Sequence, residues 1–104
     1  MTTVHVLPSA ALRINEIYRY TYLNWGEAQA ERYVAGLFGA IEKLETQISP
    51  SRSIPASIGL NGFYIRYEKH LIYWQRFAKG DIGIFSVLHE KMHQTRRLQD
   101  DLRD

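Results

Sequence analysis

The stretch from Gly62 to Met92 limits the fold of this chain more than any other part. Three runs rich in aromatic and β-branched residues occupy it: Phe63 to Tyr67, Leu71 to Phe77 and Ile82 to Leu88. Two polar breaks separate them, Glu68-Lys69-His70 and Ala78-Lys79-Gly80-Asp81. Runs of this length joined by short breaks predict an antiparallel meander. Gly80 makes the second break the better turn, because glycine reaches positive φ without a Cβ clash. In the first run Phe63, Ile65 and Tyr67 share an apolar face, and Tyr64 and Arg66 point the other way. The second run is mixed on both faces, so the orientation of Trp74 and Arg76 stays open.

A small sheet needs a cover, and the chain before it supplies one. Thr2 to Leu7 alternates weakly through Val4 and Val6 and reads as a short first strand. Pro8-Ser9 marks a boundary, with Ser9 expected as a helix N-cap. Ile14, Ile17, Tyr18, Thr21, Tyr22 and Trp25 then recur at three–four spacing, which predicts an amphipathic helix stopped at Gly26. Glu27 opens a second helix, with Ala30, Tyr33, Val34, Leu37, Ile41, Leu44 and Ile48 as one stripe. Its Gly36 and Gly39 are expected to let the first helix come close. The short link at Gly26 implies an antiparallel helical hairpin. Residues 49–61 read as a loop rich in proline and serine that Ile54, Ile58 and Leu60 can pin down. Glu90 to Asp104 is polar, and a short terminal helix that frays is expected there.

The order is strand, two helices, three strands and a short helix. It predicts an α+β fold, with the N-terminal strand and the helical hairpin packed on one face of an antiparallel meander. At 104 residues the chain is expected to form one domain spanning 1–104. No apolar run is long enough to span a membrane, and the first residues lack a basic and apolar leader. With no cysteine, disulfides and thiolate chemistry are excluded, and a reducing cytoplasm suits the chain.

The net charge is only +2, but it is unevenly placed. Between residues 51 and 80, Arg52, Arg66, Lys69, Arg76 and Lys79 face Glu68 alone, while the segments before and after are each net acidic by one charge. A basic sheet region suits an acidic partner or a phosphate backbone, and equally a solvated face. His5, His70, His89 and His93 are scattered. Only His89 and His93 have helical spacing, and two ligands without a third do not make a zinc site. No glycine-rich segment follows a phosphate-loop pattern, so neither metal nor cofactor is expected. Asp100 and Asp101 are adjacent and are expected to be solvated rather than paired.

Four stretches, in this order along the chain, resemble the ParE/RelE superfamily, the toxin halves of bacterial type II toxin–antitoxin pairs. They are residues 22–33 (Tyr-Leu-Asn-Trp-Gly-Glu-Ala-Gln-Ala-Glu-Arg-Tyr), residues 41–44 (Ile-Glu-Lys-Leu), residues 70–74 (His-Leu-Ile-Tyr-Trp) and residues 87–93 (Val-Leu-His-Glu-Lys-Met-His). The chain looks most like the ParE branch. Lys91 stands where the family usually has Arg, and His93 where it usually has Asp.

The resemblance implies a toxin that poisons DNA gyrase by binding and is neutralised by a ParD-like antitoxin in a hetero-oligomer. Such a toxin meets DNA only through the antitoxin. The alternatives are a ribosome-dependent mRNA endonuclease of the RelE type and an inactive homologue that only binds antitoxin. A ribonuclease needs a base, an acid and cations for the phosphate; Arg66, Arg76, His89 and His93 are the candidates. A binding poison needs a docking surface instead. His89, Lys91, Met92, His93, Arg96 and Arg97 are expected to meet the target, because the tail is too polar to add much core. Truncation after Leu88 is then expected to spare the fold and abolish toxicity. Arg52, Tyr64, Arg66, Trp74 and Arg76 are expected to meet the antitoxin, with Tyr64 and Trp74 as exposed aromatic anchors.

Overall fold

In Ile82–His89 the only side chains that are not apolar are Gly83, Ser86 and the terminal His89, so this strand has to be covered on both faces. A computed structural model, which describes residues 3–46, 51–77, 80–92 and 94–102, shows how that is done. The elements are β1 (Val4–Val6), α1 (Pro8–Trp25), α2 (Glu27–Glu42), β2 (Arg52–Ser53), β3 (Phe63–Tyr67), β4 (His70–Arg76), β5 (Ile82–His89) and α3 (Gln94–Leu102), with 3-10 turns at Lys43–Glu45 and Ala56–Ile58. The five strands form one sheet in the order β1-β5-β4-β3-β2. The meander pairs antiparallel, as its spacing predicts, and β1 runs parallel to β5.

The helical hairpin covers one face. Ala10, Ile14 and Ile17 of α1 and Leu37 and Ile41 of α2 pack with Ile65, Ile72, Trp74, Ile82, Ile84 and Val87. The other face carries a second cluster, in which Ile54, Tyr73, Phe85, Leu88 and Leu98 are buried and Ile58, Leu60 and Tyr64 pack around them. Tyr73 pairs with Ser86 and Trp74 with Ile84, so Phe85 is an extra residue in β5. This bulge resets the alternation. Ile82 and Ile84 face the hairpin, Phe85 turns to the second cluster, and Val87 returns to the hairpin side.

The terminal helix is therefore not a loose tail. Leu98 is 0% exposed. Polar contacts fasten the rest: Arg13 of α1 donates from Nε and Nη2 to the two carboxylate oxygens of Asp101, each at 3.0 Å. The Ser86 hydroxyl donates to the same carboxylate, and Tyr73 donates to Gln94 Oε1 at 2.6 Å. Asp101 is thus not solvated, and the fraying tail is corrected to a second layer.

Other expectations change locally. Pro8 takes the first helical position, with Leu7 before it as the cap residue. That placement suits proline, whose missing N–H costs nothing there. Ser9 is not the N-cap; its hydroxyl donates to the Phe85 carbonyl at 2.7 Å. Tyr22 and Trp25 continue the α1 spacing but are exposed; the buried side of α1 ends at Thr21. Gly36 makes room for the Tyr67 side chain of β3 rather than for α1, and Gly39 has open space around it. His70 belongs to β4, leaving Glu68 and Lys69 as a two-residue turn in which Glu68 takes φ 52°. Gly80 has φ 84°, as its turn requires. Arg52–Ser53, expected in a loop, pairs with β3. Ile48, Lys79 and His93 lie outside the described residues.

Two outcomes follow for α3. Leu98→Ala is expected to lower stability by about 2–5 kcal/mol in urea unfolding, the range for a fully buried leucine. A chain cut after Leu88 is expected to lose its cooperative transition, because Phe85, Leu88 and Tyr73 lose their cover. A loss below about 1 kcal/mol for Leu98→Ala, within the surface-substitution range, would contradict this packing.

Candidate functional site

Two neighbouring regions gather the polar groups that the sequence singles out. The first lies where the β3–β4 turn meets the end of β5. His70 and His89 face each other across the β4–β5 pairing, edge to face, with ring centres 5.2 Å apart. The Tyr33 hydroxyl of α2 sits 2.6 Å from His70 Nδ1, and Tyr33 packs edge-on against both Tyr67 and His70. Burial, helped by the neighbouring His89, pushes the His70 imidazole down to about 4, against a smaller upward pull from Glu90. His70 is therefore neutral at pH 7 and shares a hydrogen bond with the Tyr33 hydroxyl through Nδ1. Burial also raises the Tyr33 hydroxyl. His89 Nδ1 accepts the Lys91 backbone N–H at 3.1 Å, which leaves Nε2 to carry the ring proton in the neutral form.

Arg66 stands beside this cluster. Its Nη1 donates to Glu90 Oε2 at 2.8 Å and to the Glu68 carbonyl at 3.2 Å. The same contact holds the Glu90 carboxyl below the usual range. The pair is exposed, so it orients Arg66 more than it stabilises the fold.

The second region is the outer edge of β3. Among the described residues β2 pairs only with Phe63 and Tyr64, so Ile65 to Tyr67, paired with β4 on one side, have no strand on the other. A groove of about 680 Å³ opens there, lined by Ala40 and Lys43 from the hairpin side and by Arg52, Tyr64, Arg66 and Tyr67 from the sheet. Unpaired backbone groups, three cations and two aromatic rings suit an extended acidic segment.

The remaining candidates disperse. Trp74 faces the hairpin core, 4% exposed and stacked on Phe63 at 4.6 Å. It is not an exposed anchor, because the parity of β4 turns it inward with Ile72. Its indole Nε1 has no hydrogen-bond partner among the described residues. Tyr64 is half-buried, tilted against Tyr73 at 5.6 Å; burial pushes the Tyr73 hydroxyl up to about 12. Arg76 lies over the Trp74 ring at 5.4 Å, opposite Ile82 at the far end of the β4–β5 pairing. At the usual rise per residue it is roughly 20 Å from His70, and so from His89. Lys91, Arg96 and Arg97 are exposed, and Met92 leans on the second cluster. The structure thus sets Arg66 on Glu90, next to His89 in the chain, and parts both from Arg76. The sequence reading missed Lys43 in the groove and Tyr33 against His70; Tyr33 sits on α2 and Lys43 on the turn that follows it, a stretch whose stripe was read only for packing. Among the described residues no group of three or more His, Cys, Asp or Glu could hold a metal ion, and no helix is long and apolar enough to cross a membrane.

The class is an α+β fold of the RelE/ParE type. A chain of the solved "Chromosomal ParDE TA system from P. aeruginosa" shares the fold, with a TM-score of 0.67 at 17% identity, over 86% of this chain and 96% of that one. Residues 4–94 match the family described as the ParE toxin of type II toxin–antitoxin system, parDE. Toxin ParE of Escherichia coli is 29% identical over 103 residues, covering 99% of each chain. Toxin ParE1 of two Mycobacterium tuberculosis strains is 29% identical over 91 residues, covering 88% of this chain and 92% of theirs. The chain belongs to the ParE toxin family of type II toxin–antitoxin systems.

The histidine cluster predicts a pH dependence. The pKa of His70 is lower in the folded chain than in the unfolded one, so its contribution is fully present above about pH 6.5 and is lost as pH falls towards about 4. In urea unfolding, the stability difference between the wild type and His70→Phe is expected to narrow by about 1 kcal/mol from pH 7 to pH 5, after discounting for the ring's partial solvent contact. A difference that stays constant across that range would contradict the assignment.

Proposed function

We propose that this chain is a toxin that poisons DNA gyrase by binding it, and that a ParD-like antitoxin holds it in check. The observation that carries the reading is the ParE family match over residues 4–94. One separation supports it: a phosphate-binding Arg76 and a proton-transferring His89 at opposite ends of one hairpin cannot serve the same scissile bond. A poison that acts by binding needs only a surface, and the exposed Lys91, Arg96 and Arg97, with His89 and Met92 beside them, offer one at the α3 end of the sheet. DNA enters only through the antitoxin, in a toxin–antitoxin hetero-oligomer.

Purified protein is expected to inhibit gyrase supercoiling, and Lys91→Glu with Arg97→Glu to weaken that inhibition while the fold is kept. No inhibition at a large molar excess over gyrase would overturn the reading. Ribosome-dependent cleavage of a translated mRNA would replace it with nuclease action, and neither activity would leave a homologue that only binds antitoxin.

The antitoxin's place is the β3 edge. An acidic extended segment would add its backbone beside Ile65 to Tyr67 and set its carboxylates near Lys43, Arg52 and Arg66. Arg76, at the far end, is not part of this surface. Arg52→Glu with Arg66→Glu is expected to slow antitoxin association about tenfold or more at low salt, with the effect shrinking as salt rises. An unchanged on-rate in the folded double variant would make these cations solvated surface.

A further inference from the structure

The side of α1 turned away from the sheet is the least explained surface of the molecule. Burial follows Ala10, Ile14, Ile17 and Thr21. The opposite side carries Leu12, Glu16, Arg19 and Leu23 at spacings of four, three and four. Leu12 is 63% exposed and Leu23 75%, and Tyr20, also exposed, lies next to this stripe with its ring near Trp25. Four–three–four spacing on one face is the seam spacing of paired helices. Leu23 is flanked by the exposed Tyr20 and Trp25, so one end of the stripe is an apolar patch rather than a single exposed leucine.

The charges between the leucines select the occupant. If two copies of α1 lie antiparallel about a two-fold axis midway between residues 17 and 18, Leu12 faces the second copy's Leu23, and Glu16 faces its Arg19. Each contact occurs twice, as an isologous interface requires. A parallel pair would set Glu16 on Glu16 and Arg19 on Arg19, which like-charge repulsion disfavours. The Glu16 side chain is accessible, held only by an exposed contact to Arg13 at 3.2 Å. Arg13 keeps its bidentate grip on Asp101 whether or not Glu16 turns outward.

We propose that the free toxin self-associates through this α1 stripe into an antiparallel two-fold dimer. Leu12 and Leu23 stand eleven positions apart, roughly 16 Å of helix. An interface of that length is small, so the dimer is weak and reversible, with a dissociation constant on the order of 10–100 μM. The surface lies on the outside of α1, with α2 between it and the β3 edge, so dimerisation leaves the antitoxin region of the preceding section open; its Glu16 borders Arg13, which holds α3. The inference does not depend on which target the toxin attacks.

Sedimentation equilibrium of the purified full chain, over concentrations spanning about 1–300 μM, tests it. The wild type is expected to pass from monomer to dimer. Arg19→Glu, which puts two carboxylates opposite each other, is expected to weaken the dimer about tenfold or more. The charge-swapped chain carrying Glu16→Arg and Arg19→Glu together restores opposite charges and is expected to recover association. Leu23→Glu abolishes it. Circular dichroism confirms that each surface variant stays folded. A wild type that remains monomeric throughout overturns the proposal, and so does a dimer indifferent to these changes. A monomer whose Leu23→Glu variant loses antitoxin or gyrase binding overturns it too, by giving the stripe to a different partner.

Discussion

A central strand buried on both sides governs this structure. Every residue of β5 from Ile82 to Leu88 is buried, with β1 on one side of it and β4 on the other. One helical layer cannot shelter such a strand. The hairpin takes Ile82, Ile84 and Val87, and the bulge at Phe85 hands Phe85 and Leu88 to the other side. The second cover then has to come from what chain remains, the loop after α2 and the last helix. Arg13 joins the two layers by holding Asp101, whose carboxylate also accepts from Ser86 of β5 itself. The side chains of Arg13 and Asp101 are 13% and 10% exposed, so removing either would leave the other's charge poorly solvated.

Because both sheet faces are occupied by packing, surfaces for partners are found at the margins. The β3 edge is open beyond Tyr64 among the described residues, and cations from β2, β3 and the turn after α2 converge there. The exposed positions of α3 and the turn before it present a second basic surface. The outer side of α1 is the third. In such a layout a packed core displays several independent margins.

The parts legible in the sequence were those written in apolar periodicity. The meander, the hairpin and the inward face of β3 follow from spacing alone, and Ile54, Ile58 and Leu60 do pin the loop. The parts that were not legible depend on polar partners far apart in the chain. Arg13 and Asp101 are separated by 88 positions, and nothing in either neighbourhood marks the other. Met92, Leu98 and Leu102, in an otherwise polar tail, gave too thin an apolar signal to announce a packed helix. The orientation of Trp74 was hidden because β4 is apolar on both faces, for the reason that both faces are covered. His70 looked like part of a polar break, yet it pairs with His89 and lies under Tyr33, a contact that crosses from helix to strand. Charge clustering located the basic region but not its geometry: Arg52 and Arg66 share a groove, and Arg76 does not.

Native-state amide hydrogen exchange tests the two-sided cover most directly. The Ile84 to Leu88 amides are expected to exchange only through global unfolding, and the α3 amides around Leu98 and Asp101 to be protected by helix packing rather than exchanging as a free peptide. In Asp101→Asn, protection is expected to fall in α3 and in β5 around Ser86, while the α1–α2 hairpin keeps most of its own. Unprotected α3 amides in the wild type, with β5 still exchanging globally, would contradict the account, because the central strand would then be stable with one face uncovered.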